Sequence, residues 1–153
     1  MRKVTFLVVH HTASPKTTTV DQIRQWHKDR GFSDIGYHAV IYGDGSLHRG
    51  RPEAKMGAHA LGANKDSLGV SLCGNFETDS LDDLQFRRLV RVLAYWCDKY
   101  GIDTARIYGH RDVGSTKTAC PGNNLYKALP AIKSDVQKLL KSGVILGWAS
   151  GSA

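Results

Sequence analysis

Apolar residues run almost unbroken from Val4 to Val9, and a short valine-rich run of that kind predicts a strand covered on both faces of a sheet. His10 stands at its end. Thr19-Val20-Asp21-Gln22 has the form of a capping box, and Val20, Ile23, Trp26 and His27 then share one helical face until Gly31 stops the pattern. Tyr37 to Tyr42 and Ser46 to Arg49 flank Gly43-Asp44-Gly45, which predicts a hairpin. Leu68, Val70 and Leu72 alternate with small or polar residues in a further strand. Between the hairpin and that strand, Gly50 to Asp66 forms a long polar loop holding His59 and Asn64, and loops of such length inside a compact domain tend to be functional.

The longest periodic stretch starts at Ser80 as cap, with Asp83 three residues on. It carries Leu81, Leu84, Leu89, Val90, Leu93, Trp96, Cys97 and Tyr100 at helical spacing, and ends at Gly101. Cys97 is thereby expected in the core. Ala105 to Tyr108 predicts a short strand that delivers Gly109-His110-Arg111-Asp112 into a loop closed by Cys120-Pro121-Gly122. A last helix is expected from Asn124 to Ser142, with Pro130 as a break or fresh start. The order strand, helix, hairpin, strand, helix, strand, helix predicts an α/β fold: a single domain with a central mixed β-sheet flanked by about three helices.

With 153 residues the chain can bury one good core and is short for two ordinary domains. Lys and Arg outnumber Asp and Glu by 21 to 14, a net charge of +7 that suits an anionic partner or surface and equally serves solubility. The basic residues are scattered from Arg2 to Lys141 without a like-charged block, so no nucleic-acid partner is expected. Three widely spaced cysteines do not make a disulfide framework and suit synthesis in a reducing compartment. No apolar run reaches the length of a membrane span or a signal-peptide core, so the product is expected to be made in the cytoplasm without a signal peptide. Lys127, Lys133, Lys138 and Lys141 followed by Val144 to Trp148 read as a docked helix with a frayed tail, or as a weak contact with an anionic membrane surface.

Seven histidines exceed what packing requires. His10 and His110 follow strands, and Cys120 lies ten positions beyond the second of them. Imidazole and thiolate are ligands that Zn²⁺ favours, and three protein ligands leave a fourth position for water, as catalytic rather than structural zinc sites do. By spacing alone two arrangements remain open: such a metal site, or hydrogen-bonded strand-end histidines with a core cysteine.

The surrounding residues narrow the choice. Val9-His10-His11-Thr12-Ala13-Ser14, Gly36-Tyr37-His38, Gly57-Ala58-His59 through Asn64, Ser67-Leu68-Gly69-Val70, Gly109-His110-Arg111-Asp112 and Thr118-Ala119-Cys120-Pro121-Gly122 occur in this order. Together they resemble the zinc-dependent N-acetylmuramoyl-L-alanine amidases, which include phage lysozymes of the T7 type and the peptidoglycan recognition proteins. The resemblance implies a surface cleft in which His10, His110 and Cys120 hold Zn²⁺, with His11 a neighbour. It implies Tyr37 as the catalytic tyrosine and His59 and Asn64 as residues of the substrate side. Phage members tend to carry a lysine two residues before the cysteine ligand and recognition proteins a threonine. This chain has Thr118 there and Lys117 one place earlier, so both stand as candidates to stabilise the oxyanion. Asp112 is expected to orient the His110 loop as an acceptor, while His27 and His48 are expected to be structural or solvent-facing.

The activity so implied is hydrolysis of the amide between N-acetylmuramic acid and L-alanine in peptidoglycan by zinc-activated water. We expect one catalytic domain over residues 1–153 with no separate cell-wall-binding module, monomeric, with the muramoyl-peptide polymer as partner. A leaderless amidase of this size resembles a phage endolysin, made in the bacterial host cytoplasm and acting on the wall after release. A non-catalytic peptidoglycan-binding protein and a wall-amidase toxin are the other readings of the same blocks.

Overall fold

The long apolar run becomes the strand next to the edge of a five-stranded sheet. In a computed structural model, which describes residues 2–144, 147 and 148, the strands β1 (Phe6–His11), β2 (Ala39–Ile41), β3 (Leu47–Arg49), β4 (Ser67–Leu72) and β5 (Ile107–Gly109) lie in the order β3-β2-β4-β1-β5. Only the β2–β3 hairpin is antiparallel; β2, β4, β1 and β5 run parallel, so the sheet is mixed. Helices α2 (Asp83–Tyr100) and α3 (Asn123–Ser142) pack together over one face. Helix α1 (Val20–Asp29) belongs to a smaller layer on the other, formed by Ile23, Ile35, Val40 and Cys73.

Strand alternation divides the labour between these faces. Leu7 and Val9 of β1, Leu68, Val70 and Leu72 of β4, and Ala39 and Ile41 of β2 join Leu89, Leu93 and Trp96 of α2 and Leu125, Leu129, Ile132 and Val136 of α3 in the main core. The residues between them, His10, Ser67, Gly69, Ser71 and His38, are buried against the opposite face.

Several expected boundaries move, each for a local reason. The first strand spans Phe6–His11 instead of Val4–Val9, because its parallel ladder with β4 continues through the pairs His10 with Ser71 and His11 with Leu72. The hairpin strands shorten to three residues each. The cap of α2 is Asp82, whose carboxylate accepts the N–H of Gln85, and not Ser80. Gly101 ends α2 in the left-handed conformation at φ 66°. The fourth parallel strand is Ile107–Gly109, preceded by a 3₁₀ turn over Thr104–Arg106. Helix α3 continues through Pro130, which is exposed, although proline supplies no N–H to the carbonyl one turn earlier.

Two apolar residues expected on buried helix faces look outward instead: Trp26 is 44% and Leu84 48% exposed. Trp148 is neither frayed nor presented outward. Its ring lies 4.1 Å from the Arg49 guanidinium and beside Tyr95 and Trp96; Ile145 and Leu146 fall outside the described residues. No helix among the described residues is long and apolar enough to cross a membrane.

The Gly50–Asp66 loop is tied down at its start. Glu53 accepts from Trp96 Nε1 at 3.2 Å, Lys99 Nζ at 3.0 Å and the Tyr100 hydroxyl at 2.6 Å, which anchors the segment leading to His59 on α2. Burial raises the Glu53 carboxyl, but these three donors outweigh it and hold the group below its ordinary range.

Two buried histidines serve as neutral braces. His27 Nδ1 accepts the Gly36 N–H at 2.8 Å, and His38 Nδ1 accepts the Gly69 N–H at 3.1 Å while its Nε2–H reaches the Lys55 carbonyl at 2.8 Å. Burial depresses both to about 4. Because the unfolded chain takes up these protons near pH 6.5 and the folded chain only near 4, stability is complete above pH 6.5 and falls as pH drops through that window. Urea unfolding in the presence of a chelator should show this loss between pH 7 and 4.5. The variant His27→Asn, which keeps an acceptor but cannot titrate, should flatten the slope.

Candidate functional site

The parallel register brings the ends of β1 and β5 side by side. Val9 pairs with Gly109, so His10 and His110, a hundred residues apart, follow on neighbouring strands with ring centroids 4.5 Å apart. The 3₁₀ turn His110–Asp112 then redirects the chain, and the Arg111 N–H bonds the Cys120 carbonyl at 2.9 Å, which folds the intervening loop back on the strand ends. Cys120 Sγ accepts the His11 N–H at 3.4 Å and sits 3.7 Å from His10 Nδ1. One ligand atom from each of His10, His110 and Cys120 lies within 4.8 Å of the others.

These atoms line a cleft of about 230 Å³ together with His11, Ala13, His27, Arg30, Phe32, Tyr37, Ala58, His59 and Thr118. Burial, then the neighbouring imidazoles of His59 and His110, drives His10 well below its usual range, and burial also lowers His110. Both rings are therefore neutral and hold a free lone pair. Burial pushes the Cys120 thiol up to about 12, although the His11 N–H and Arg111 oppose it. The Tyr37 phenol is raised by burial and by Cys120, with Ser71 offsetting part of the rise, and so stays protonated.

The donor set fits a zinc-type ion. It combines two neutral imidazoles with a sulfur that needs a nearby cation to ionise, and His110 Nε2 is buried without any hydrogen-bond partner among the described residues. Burying a polar nitrogen without a partner costs about 1–3 kcal/mol.

The other expected residues distribute as follows. Tyr37 stands over His10 with ring centroids 5.1 Å apart. Thr118 lines the cleft, and its Oγ1 accepts the Cys120 N–H at 3.1 Å, which leaves the hydroxyl hydrogen free. Lys117 is exposed and outside the lining. His59 lines the cleft and also contacts His10 directly. Asn64 does not line it; its Oδ1 accepts the N–H groups of His59 at 2.9 Å and Ala60 at 2.8 Å. His11 Nδ1 is occupied by the Phe76 N–H at 3.0 Å, which leaves it a neighbour of the ligand set. His48 stacks on Tyr42 at 3.6 Å.

Asp112 accepts the Tyr126 hydroxyl at 2.9 Å, which ties the His110 loop to α3. Sequence reasoning missed Ala13, Arg30, Phe32 and Ala58 as cleft residues. Arg30 follows the last turn of α1 with its guanidinium 5.1 Å from the Phe32 ring, and among scattered basic residues nothing local singled it out.

The chain is similar to known proteins along most of its length. A family model described as N-acetylmuramoyl-L-alanine amidase matches residues 1–123. Peptidoglycan-recognition protein SC2 of Drosophila melanogaster is 38% identical over 135 residues, which cover 82% of this chain and 72% of that protein. The endolysin of Escherichia phage T7 is 35% identical over 126 residues, covering 78% and 81%. Among solved structures, the N-acetylmuramoyl-L-alanine amidase LysC from Clostridium intestinale superposes with a TM-score of 0.82 at 36% identity, covering 89% of this chain and 87% of that one.

The geometry predicts one zinc-type ion per chain. At a free-ion concentration one hundred times the dissociation constant, binding should raise stability by about 2.7 kcal/mol. Thermal unfolding with and without a chelator measures this, and Cys120→Ala should abolish both the stabilisation and the stoichiometric ion in elemental analysis.

Proposed function

Because the chain belongs to the N-acetylmuramoyl-L-alanine amidase family, we propose that it is a zinc-dependent peptidoglycan hydrolase cutting the amide between N-acetylmuramic acid and L-alanine. The observation that carries this reading is the convergence of His10, His110 and Cys120 in the cleft. A bound zinc ion supplies Lewis-acid polarisation of the carbonyl and an activated water.

The chain's own groups do the rest. Tyr37 presents a protonated phenol beside His10, placed to donate a hydrogen bond to the carbonyl oxygen as negative charge develops. Thr118 is the better supported of the two oxyanion candidates. Its oxygen is held by the Cys120 N–H and its hydrogen is free, whereas Lys117 lies outside the cleft. The departing alanine amine takes up the proton that the attacking water gives up, so the step balances as one amide and one water becoming a carboxylic acid and an amine. His59 lines the cleft, and Asn64, outside the lining, braces the loop that carries it. The net charge of +7 favours approach to an anionic envelope.

The structural neighbours include a Drosophila recognition protein, PGRP-LB, described in complex with tracheal cytotoxin, at 28% identity and a TM-score of 0.76. That supports a muramoyl-peptide as the ligand of this cleft. The endolysins of phages T3 and T7, both covered over 81% of their length, support a phage endolysin released from the host cytoplasm to the wall. We read the enzyme as one catalytic domain acting as a monomer.

Digestion of purified peptidoglycan tests the reading. We expect new alanine amino groups without new reducing sugar ends, and their loss on chelation; reducing ends would identify a glycosidase instead. Tyr37→Phe should lower kcat by about 100-fold while zinc content stays at the wild-type level.

A further inference from the structure

The side-chain hydrogen bonds of His59 join Ser67 on β4 to His10 in the cleft, and their direction is forced from the Ser67 end. Ser67 Oγ lies 2.7 Å from the Ala63 carbonyl oxygen. A carbonyl only accepts, so the single hydroxyl hydrogen of Ser67 is committed there. Ser67 Oγ can then only accept from His59 Nε2, 3.2 Å away, which places the His59 proton on Nε2 and leaves Nδ1 bare. That bare nitrogen is 2.8 Å from His10 Nε2 and must accept from it. His10 is thus held with its proton on Nε2 and its lone pair on Nδ1, the atom that faces Cys120 Sγ at 3.7 Å.

The surroundings lock this chain of donors in place. Ser67 is fully buried on β4, and His59 is 8% exposed. Asn64 Oδ1 takes the N–H groups of His59 and Ala60, fixing the turn that carries the Ala63 carbonyl. Gly69 lies under the His59 ring, where a Cβ would come within 2.6 Å of Cγ, so the ring packs directly on the strand backbone. A residue built to meet substrate would keep a nitrogen for it; both His59 nitrogens are spent within the protein.

We propose that His59 is a positioning residue for the metal site. With Ser67 and the Ala63 carbonyl as anchor, it selects the His10 tautomer that offers Nδ1 to the cation. The inference rests on the zinc reading of the site, and it moves His59 from the substrate side to the support of a ligand. Outer groups of this kind orient a metal-bound imidazole and raise its basicity.

Two measurements on the full-length chain decide it. Nitrogen-15 NMR of the metal-free wild type should show His10 and His59 both protonated at Nε2. Zinc affinity, read by competition with a chromophoric chelator, should fall by about 10- to 100-fold in His59→Phe, which keeps an aromatic ring and removes both nitrogens. His59→Asn retains an acceptor near the Nδ1 position and should recover most of the affinity. Ser67→Ala should weaken zinc binding in the wild-type background and leave it unchanged in His59→Asn, where the link to Ser67 is already cut.

A His10 proton on Nδ1 overturns the proposal. So does a His59→Phe variant that binds zinc as the wild type does while its KM for peptidoglycan rises, the signature of a substrate contact. If His59→Phe does not fold, the wild-type tautomer and the zinc affinity of Ser67→Ala distinguish the two roles. A chain that binds zinc with the expected tautomer but releases no alanine amine defeats the amidase reading and leaves the relay standing. An active amidase with the opposite tautomer does the reverse.

Discussion

The parallel hydrogen bonding of β1 on both of its edges is the constraint from which the site follows. Between β4 and β5, β1 must run in register with each, and that register places His10 beside His110 on one edge and beside Ser71 on the other. Alternation then turns Leu7 and Val9 into the main core and leaves His10 on the opposite face. Shifting β1 by one residue would exchange the two sets, burying the imidazole among leucines and lifting the valines into the cleft. The packing of α2 and α3 on one face therefore fixes the chemistry of the other.

Burial gives the cleft its electrostatic character. His10, His59 and His110 are all held neutral, and the Cys120 thiol is held protonated, in a pocket with few carboxylates to balance added charge. Two neutral imidazoles and a thiol suit a soft divalent cation, and His110 Nε2 finds no hydrogen-bond partner among the described residues. The same neutrality makes the direction of each hydrogen bond matter, because a neutral imidazole has one donor and one acceptor and each must be assigned.

The loop from Gly50 to Asp66 joins these two levels. At its start Glu53 is bound to three side chains of α2, and at its end Asn64 and Ser67 hold the turn around His59. A segment without regular secondary structure is thereby anchored at both ends by side-chain hydrogen bonds. Trp148 docks beside the first of these anchors, on Arg49, which pairs with Glu53, and on Tyr95 and Trp96 of α2.

Much of this was legible in the chain. The apolar run at Val4 to Val9, the Thr19 capping box and the Gly101 stop are local signals, and each produced an element close to its expected place because it depends on neighbours in sequence. The motif blocks around His10, Tyr37, His110 and Cys120 likewise pointed to a ligand set, since residue type and order are properties of the chain itself. Three-dimensional packing settled what no local pattern encodes. It carried β1 on through His11, kept α3 helical across Pro130, exposed Trp26 and Leu84, gave Asp112 to Tyr126, and brought Arg30 to the cleft. It also set the direction of the path from Ala63 through Ser67 and His59 to His10, because which nitrogen carries a proton depends on partners that only the folded chain brings within reach.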